Sequence, residues 1–222
     1  MKKTLVVDIG GTHVKLMMRR NNHREFASGS RMGPKKFIKL FKATTRDWKF
    51  DNVSIGFPAP IRDGKIMRNP KHLGKGWLRF NFRKSLGKPV KVINDAAMQA
   101  VGSYRGGRML FLGLGTGLGS ALIVDSVLEP LELAHLPYKK GRTYEQYVGT
   151  AGLMRSGKKK WRRHVAEVVS LLKSAVQADD VVIGGGNAKL LKTLPASARL
   201  GTNANAFVGG YRLWQKKFGI DL

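Results

Sequence analysis

The 222-residue chain contains no cysteine, which excludes disulfides and thiolate metal sites and fits a reducing compartment. Acidic residues are scarce: 14 Asp and Glu stand against 41 Lys and Arg, a formal net charge of +27. No apolar run approaches the length needed to cross a bilayer. The apolar stretch behind Lys2 and Lys3 stops at Asp8, too short for a secretory h-region. A Walker A loop is also missing: the nearest stretch, "GLMRSGKKK" (152–160), has lysine where a Mg²⁺-binding Ser or Thr should stand. These absences point to a soluble, cytoplasmic protein. A hydrophobic content of 42% with 25% charged residues is globular, and the length suits one large domain or two small lobes. The positive field attracts polyanions. Nucleic acid, inorganic polyphosphate, anionic lipid and a mere solubility habit all remain open as its reason.

The organisation of the chain follows from its periodicities. Residues 4–9 and 12–18 are short apolar or alternating runs around Gly10-Gly11, a hairpin signal, with a third strand expected near 24–28. Phe37, Leu40 and Phe41 recur at helical spacing behind Pro34, which marks a helix start. "NVSIGF" and "PVKVIND" read as buried strands, the second running into helical "AAMQAVGSY". The stretch 62–89 between them looks like a long loop with one short helix, and loops of that length are usually functional. "RMLFLGLG" and "SALIVD" form a second strand pair around glycines. Residues 144–154 are weakly helical. Trp161, Val165, Val168, Leu172 and Val176 make a helix stripe. "DDVVIGGGN" is a strand entering a glycine turn, "AKLLKTL" should be helical, and "NAFVGGYRLWQKKF" should form a closing helix. The strand-turn-strand-glycine theme occurs at 4–18 and again at 109–124, which predicts two similar lobes.

Chemistry concentrates in a few motifs. "DIGGTHVK" offers backbone N–H groups at Gly10 and Gly11, the Thr12 hydroxyl and the Lys15 cation to a phosphate. Asp8, at a strand end, can hold hydrated Mg²⁺; an ordinary tight hairpin is the alternative, and His13 reads as a strand residue. "LGLGTGLGS" (112–120) is a second glycine loop, carrying Gly115, Thr116 and Gly117. It lacks the dinucleotide fingerprint's spacing and is followed by a strand, not a helix. Asp95 in "VIND" stands at a strand end, where a rigid carboxylate can accept the proton of an alcohol during phosphoryl transfer. Asn94 can position a substrate, and either residue can simply cap the next helix. Glu132 and His135 in "ELAH" suit sugar hydroxyls better than zinc, for which two ligands are too few. "VVIGGGN" is a turn that lets a flat ligand or phosphate approach, or one that merely packs on its neighbour. The basic run Lys158, Lys159, Lys160, Arg162 and Arg163 at a predicted helix start opposes the helix dipole, which suggests a nearby anion or a solvated face.

In order along the chain, "DIGGTHVK", "GFPAP", "VIND", "LGTGLGS", "ELAH" and "IGGG" resemble the ROK family of sugar kinases, within the actin-like ATPase superfamily, and most of all its polyphosphate glucokinase branch. The resemblance implies an α/β, two-lobed actin-like (ribonuclease H-like) ATPase fold, each lobe a mixed sheet flanked by helices. The lobes would span 1–95, closed by the tail 208–222, and 96–207. It implies Mg²⁺-dependent phosphorylation of glucose at the 6-hydroxyl, with polyphosphate or ATP as donor. Asp95 would be the catalytic base, and Asn69, Asn94, Glu132 and His135 would bind the sugar. Asp8, Gly10, Gly11, Thr12 and Lys15 would form the first phosphate loop, with Mg²⁺ at Asp8 through water. Gly115, Thr116 and Gly117 would form the second, and Gly184, Gly185 and Gly186 would line the donor site. Alternatives are an ATP-only kinase for another hexose or an N-acetylated amino sugar, and a non-catalytic sugar sensor or nucleic-acid-binding protein on the same scaffold. The resemblance further implies a possible homodimer. The lack of a spanning segment argues against a membrane partner, and the basic surface leaves nucleic acid only as a non-specific ligand. No helix-turn-helix region is legible at either end, which favours an enzyme over a sensor. The chain departs from the family in Ala134, which stands where a glycine is usual, and in lacking the cysteine-rich zinc motif, as polyphosphate-using relatives do. Its basic balance would help draw in a donor of many phosphates.

Overall fold

The computed structural model describes residues 2–19, 22–202 and 204–215. In chain order the elements are β1 (Thr4–Ile9), β2 (His13–Arg19), β3 (Asn22–Ala27), α1 (Pro34–Thr45), β4 (Asn52–Phe57), β5 (Ile61–Arg62), β6 (Lys65–Ile66), α2 (Phe82–Leu86), β7 (Val90–Asn94) and α3 (Asp95–Ser103). The second half continues with β8 (Arg108–Leu114), β9 (Leu118–Val124), β10 (Val127–Leu131), β11 (Pro137–Lys139), β12 (Arg142–Thr143), α4 (Tyr144–Val148), α5 (Thr150–Ala175), β13 (Asp180–Gly184), β14 (Ala198–Leu200) and α6 (Asn205–Arg212).

The repeated theme of the sequence becomes a repeated topology. One five-stranded sheet runs β3-β2-β1-β4-β7 and the other β10-β9-β8-β13-β14. In each, an antiparallel hairpin precedes parallel pairing, β1 with β4 and β8 with β13. The strands alternate their side chains between two cores, as period-2 backbone requires. Val6 faces a central core with α3 and α6, while Leu5 and Val7 face the outer core under α1. In the second sheet Met109 and Phe111 enter the central core, and Leu110 and Leu112 pack beneath α5. Helix, sheet, helix pair, sheet and helix thus stack in turn, the mixed-sheet architecture expected from the resemblance.

The central helix pair is close because it is built on glycine. A Cβ on Gly102 would overlap the Asn205 carbonyl, and one on Gly209 the Met98 carbonyl. The segment after α6 docks on the first sheet: the Trp214 indole donates to Ser54 Oγ at 2.8 Å, and Lys91 Nζ to the Leu213 carbonyl at 2.9 Å. Residues 216–222 of the expected closing tail lie outside the described residues.

Some local expectations shift. The third strand spans 22–27, and the stretch 62–89 opens inside the β5–β6 hairpin, which begins at Ile61, and contains α2. "AKLLKTL" is not a helix: a single 3₁₀ turn, Ala188–Leu190, ends where Leu191 goes extended at φ −72° and ψ 126°. The stripe of 158–176 holds, with Trp161, Val165, Val168 and Leu172 buried. Its helix reaches back to Thr150, broken at Gly157, whose φ of 71° and ψ of 161° suit only glycine. Among the described residues no helix is long and apolar enough to cross a membrane.

Candidate active site

The parallel strands β1, β4 and β7 end side by side, so the residues at their carboxyl ends meet at one edge. That edge opens into a cleft of about 540 Å³, whose other wall comes from the second half of the chain. The cleft brings together Gly11, Thr12, Asn69, Asn94, Asp95, Gly115, Thr116, Gly117, Glu132, His135 and Gly185. Asp8, Gly10, Lys15, Gly184 and Gly186 are not part of its lining.

Asn94 is the N-cap of α3, its Oδ1 accepting from Ala96 N at 2.9 Å and Ala97 N at 3.3 Å, and its Nδ2 donates to the Ala59 carbonyl. The capping alternative therefore accounts for most of this side chain. It leaves Asp95 as the first helical residue, with its carboxyl at the cleft floor. Gly56 makes room for this helix start: a Cβ there would crowd Met98 and stand 3.4 Å from the Asp95 Cα. Since Gly56 pairs with Asp8 across β1 and β4, the two carboxyls share one corner. Burial, then the charge of Asp8, pushes Asp95 up to about 7. Asp8 is raised to about 6 by burial, against the opposing pull of Lys15, its cross-strand partner. Both residues are nevertheless only half-buried by surface, and Asp95 reaches the cleft.

The first glycine turn is cinched by Gly10 N donating to the His13 carbonyl at 2.9 Å and Ser28 Oγ to the Gly10 carbonyl at 2.6 Å. The four alternating glycines of the second loop have separate reasons. Gly113 lies against the Phe111 ring, a Cβ on Gly117 would overlap the Glu145 carboxylate, and one on Gly119 would meet the Ala96 Cβ at 2.8 Å. Gly115 alone faces open space. The N–H groups of Gly11, Thr12, Thr116 and Gly117 donate to no protein acceptor among the described residues. The loop is anchored through its carbonyl: Thr150 Oγ1 and Asn187 Nδ2 both donate to the Gly115 oxygen, at 3.0 and 3.1 Å. Gly184 and Gly185 pack on Phe111 and on the Leu114 backbone, which favours the packed-turn alternative for them, while Gly186 is open.

Glu132 and His135 flank a short 3₁₀ turn with Ala134 buried beneath. Sequence reasoning missed what faces them. Arg68 reaches Glu132 at 3.4 Å and Lys71 reaches Glu145 at 3.5 Å, so two ion pairs span the cleft from the loop after β6. That loop is held by Trp77 N donating to Asn69 Oδ1 at 3.0 Å, which consumes part of Asn69. His72 lies against Gly11. The length and basic character of 62–89 were the only signals for these residues. Lys158, Lys159, Lys160 and Arg163 are exposed, whereas Arg162 Nε is bound to the Leu190 carbonyl at 2.7 Å. No group of three or more His, Asp or Glu able to hold a metal occurs among the described residues. A hydrated Mg²⁺ on one or two carboxylates, completed by phosphate oxygens, needs no such group, and the Asp8–Asp95 corner fits it.

Comparison with known proteins agrees with this architecture. The model of the ROK family matches residues 4–129, more than half of the chain. A polyphosphate glucokinase of Mycobacterium tuberculosis is 26% identical over 149 residues, 60% of this chain and 56% of the relative, so the match spans less than two thirds of that protein. The crystal structure of an inorganic polyphosphate/ATP-glucomannokinase from Arthrobacter sp. strain KM superposes with a TM-score of 0.79 at 23% identity, covering 94% of this chain and 96% of that one. A ROK family glucokinase from Streptomyces griseus in complex with glucose and AMPPNP gives 0.76 at 16% identity, covering 95% and 98%.

Proposed function

The chain belongs to the ROK family, and on that premise we propose that it is a sugar kinase phosphorylating glucose at the 6-hydroxyl, with polyphosphate or ATP as donor. The observation that carries this reading is the Asp95 carboxyl, rigidly placed at the start of α3 on the cleft floor and raised to about 7. A carboxylate of that affinity takes a hydroxyl proton near neutral pH and gives it up again. Asp95 accepts the proton of the 6-hydroxyl as its oxygen bonds to the terminal phosphorus of the donor. The bond to the bridging oxygen breaks, and the shortened donor leaves with that electron pair.

Glu132 and His135 hold sugar hydroxyls at the opposite wall, with Asn69 contributing its amide. The unpaired N–H groups of Gly11, Thr12, Thr116 and Gly117 receive the donor phosphates. Mg²⁺ held through water at Asp8 supplies neutralisation of phosphate charge when bound. The lobes 1–95, with the tail 208–222, and 96–207 close on the sugar and exclude water. Arg68 and Lys71, which already bridge the cleft, are placed to hold that closed form. Support for a polyphosphate donor comes from the names of the Mycobacterium and Arthrobacter proteins.

The test is phosphorylation of glucose by purified protein with Mg²⁺, comparing polyphosphate with ATP, beside the Asp95→Asn variant. Product from either donor with the wild type and loss of about 10³-fold or more with the variant supports the reading. A variant with near-normal turnover, or no product from any of a panel of hexoses, overturns it.

A further inference from the structure

The charge of +27 has no outlet in the cleft, where Arg68 and Lys71 are matched by Glu132 and Glu145. The surplus lies elsewhere, and one place gathers it around aromatic rings. At the amino ends of β1, β4 and β7, about 16 Å along the strands from Asp8 at 3.3 Å per residue, a separate hollow of about 530 Å³ opens. Phe41, Trp48 and Phe50 line it. Arg24 holds the Trp48 ring with its guanidinium 4.4 Å from the ring centre, and the Phe50 ring meets Phe41 edge-on at 6.2 Å.

Four cations surround these rings: Lys3, Lys42, Lys49 and Lys88. None of them pairs with a carboxylate among the described residues. The single acid of the hollow, Asp51, accepts from the backbone N of Lys3 at 2.6 Å. Lys42 also belongs to a stripe on α1, with Lys35, Lys39 and Arg46 spaced four, three and four apart and all exposed. That spacing puts them on one helix face, and α1 contains no acidic residue. A basic ridge thus leads into an aromatic hollow ringed with lysines.

Rings and cations side by side suit one class of polyanion. Inorganic polyphosphate can use the lysines and gains nothing from the rings. A single-stranded nucleic acid uses both, stacking bases on aromatic faces while its backbone follows the positive groove. We propose that this hollow and the basic face of α1 form a binding surface for single-stranded nucleic acid, with bases on Trp48 and Phe50 and phosphates along Lys35, Lys39, Lys42, Lys49 and Lys88. The surface lies at the opposite end of the sheet from the cleft, and the proposal is independent of the kinase reading.

The test is fluorescence anisotropy of a labelled oligo(dT) strand of about 15 nucleotides with the full chain, and competition by long-chain inorganic polyphosphate. Lys42→Glu combined with Lys49→Glu and Lys88→Glu should weaken oligonucleotide binding about tenfold or more, with a shallower salt dependence. Lys35→Glu with Lys39→Glu, both on an exposed helix face away from the core, should weaken it about threefold or more. Phe50→Leu and Trp48→Leu should each weaken oligonucleotide binding about fivefold while leaving polyphosphate competition unchanged. Charge reversals without effect would place binding elsewhere and overturn the proposal. Ring variants that weaken neither ligand, or both equally, would reduce the surface to a charge-only site and overturn it as well.

Discussion

Asp8 at the end of β1 and Asp95 at the start of α3 occupy one corner, and after burial the charge of Asp8 is the largest influence raising Asp95 to about 7. Gly56 is what permits this approach, since it lies beside Asp8 in the sheet and under Asp95 at the helix start. The coupling has consequences for rate and for stability, and they run in opposite directions with pH.

In the proposed mechanism turnover requires an ionised Asp95. The rate should therefore rise with pH as this raised carboxyl gives up its proton, at or below about pH 7 because Mg²⁺ at the corner offsets the charge of Asp8, and level off above that. In the Mg²⁺-free protein, removing the neighbouring charge with Asp8→Asn should lower the midpoint at which the Asp95 carboxyl titrates, read by carbon-13 NMR of the side chain. A midpoint that stays where it was would show that the two groups do not communicate.

Stability should fall over the same range. Both carboxyls have folded-state affinities above the ordinary 3.8, about 6 for Asp8 and about 7 for Asp95. The folded state then binds protons more tightly than the unfolded one, so its advantage is complete below pH 3.8 and is lost as pH rises through 6 to 7. Asp95→Asn should melt higher than the wild type at pH 8, by about 2–4 °C for each kcal/mol recovered, and show no such gain at pH 4. Thermal melts in EDTA, which prevent a divalent cation from masking the repulsion, make the comparison. An equal gain at both pH values would assign the effect to packing.

Gly209 touches the Met98 carbonyl where α6 crosses α3. Gly209→Ala forces the helices apart and should cost about 1–3 kcal/mol or more, as overpacking does. Urea melts should show the lost midpoint, whereas Gly141→Ala, in open space at φ 69°, should cost only about 1 kcal/mol of backbone strain. Equal losses in the two variants would mean that the helix crossing tolerates a methyl group.

Asn187 holds the second glycine loop without itself lining the cleft. Its Nδ2 donates to the Gly115 carbonyl and to Thr150 Oγ1, both at 3.1 Å. Asn187→Ala leaves Thr150 to hold the loop alone and should raise the KM for the phosphoryl donor several-fold, about 1 kcal/mol of lost positioning, with the KM for the sugar unchanged. A matching rise for both substrates would point to general loosening. Asn187→Asp, which keeps size and removes the donor, should behave like the alanine variant.

The sequence by itself determined the elements and their doubling. Strand alternation at 4–9 and 109–114, Pro34 at a helix start and the stripe through Trp161 were legible because 2.0 and 3.6 periods are local properties of the backbone. The order of motifs was equally legible, and it marked Asp8, Asp95, Glu132 and the glycine loops. "AKLLKTL" misled because helical propensity is a weak prior that a turn and Pro195 override.

Only the tertiary structure decided how these residues divide their work. It assigned Asn94 mainly to capping, gave three glycines of the second loop to packing and left Gly115 open, and packed Gly184 and Gly185 against β8. It also brought Arg68 to Glu132 and Lys71 to Glu145, pairs separated by 64 and 74 residues. Contacts of that kind leave no period in the chain. They arise when separately folded segments share a boundary, and burial there sets which carboxyl keeps its proton and which glycine has room for a ligand.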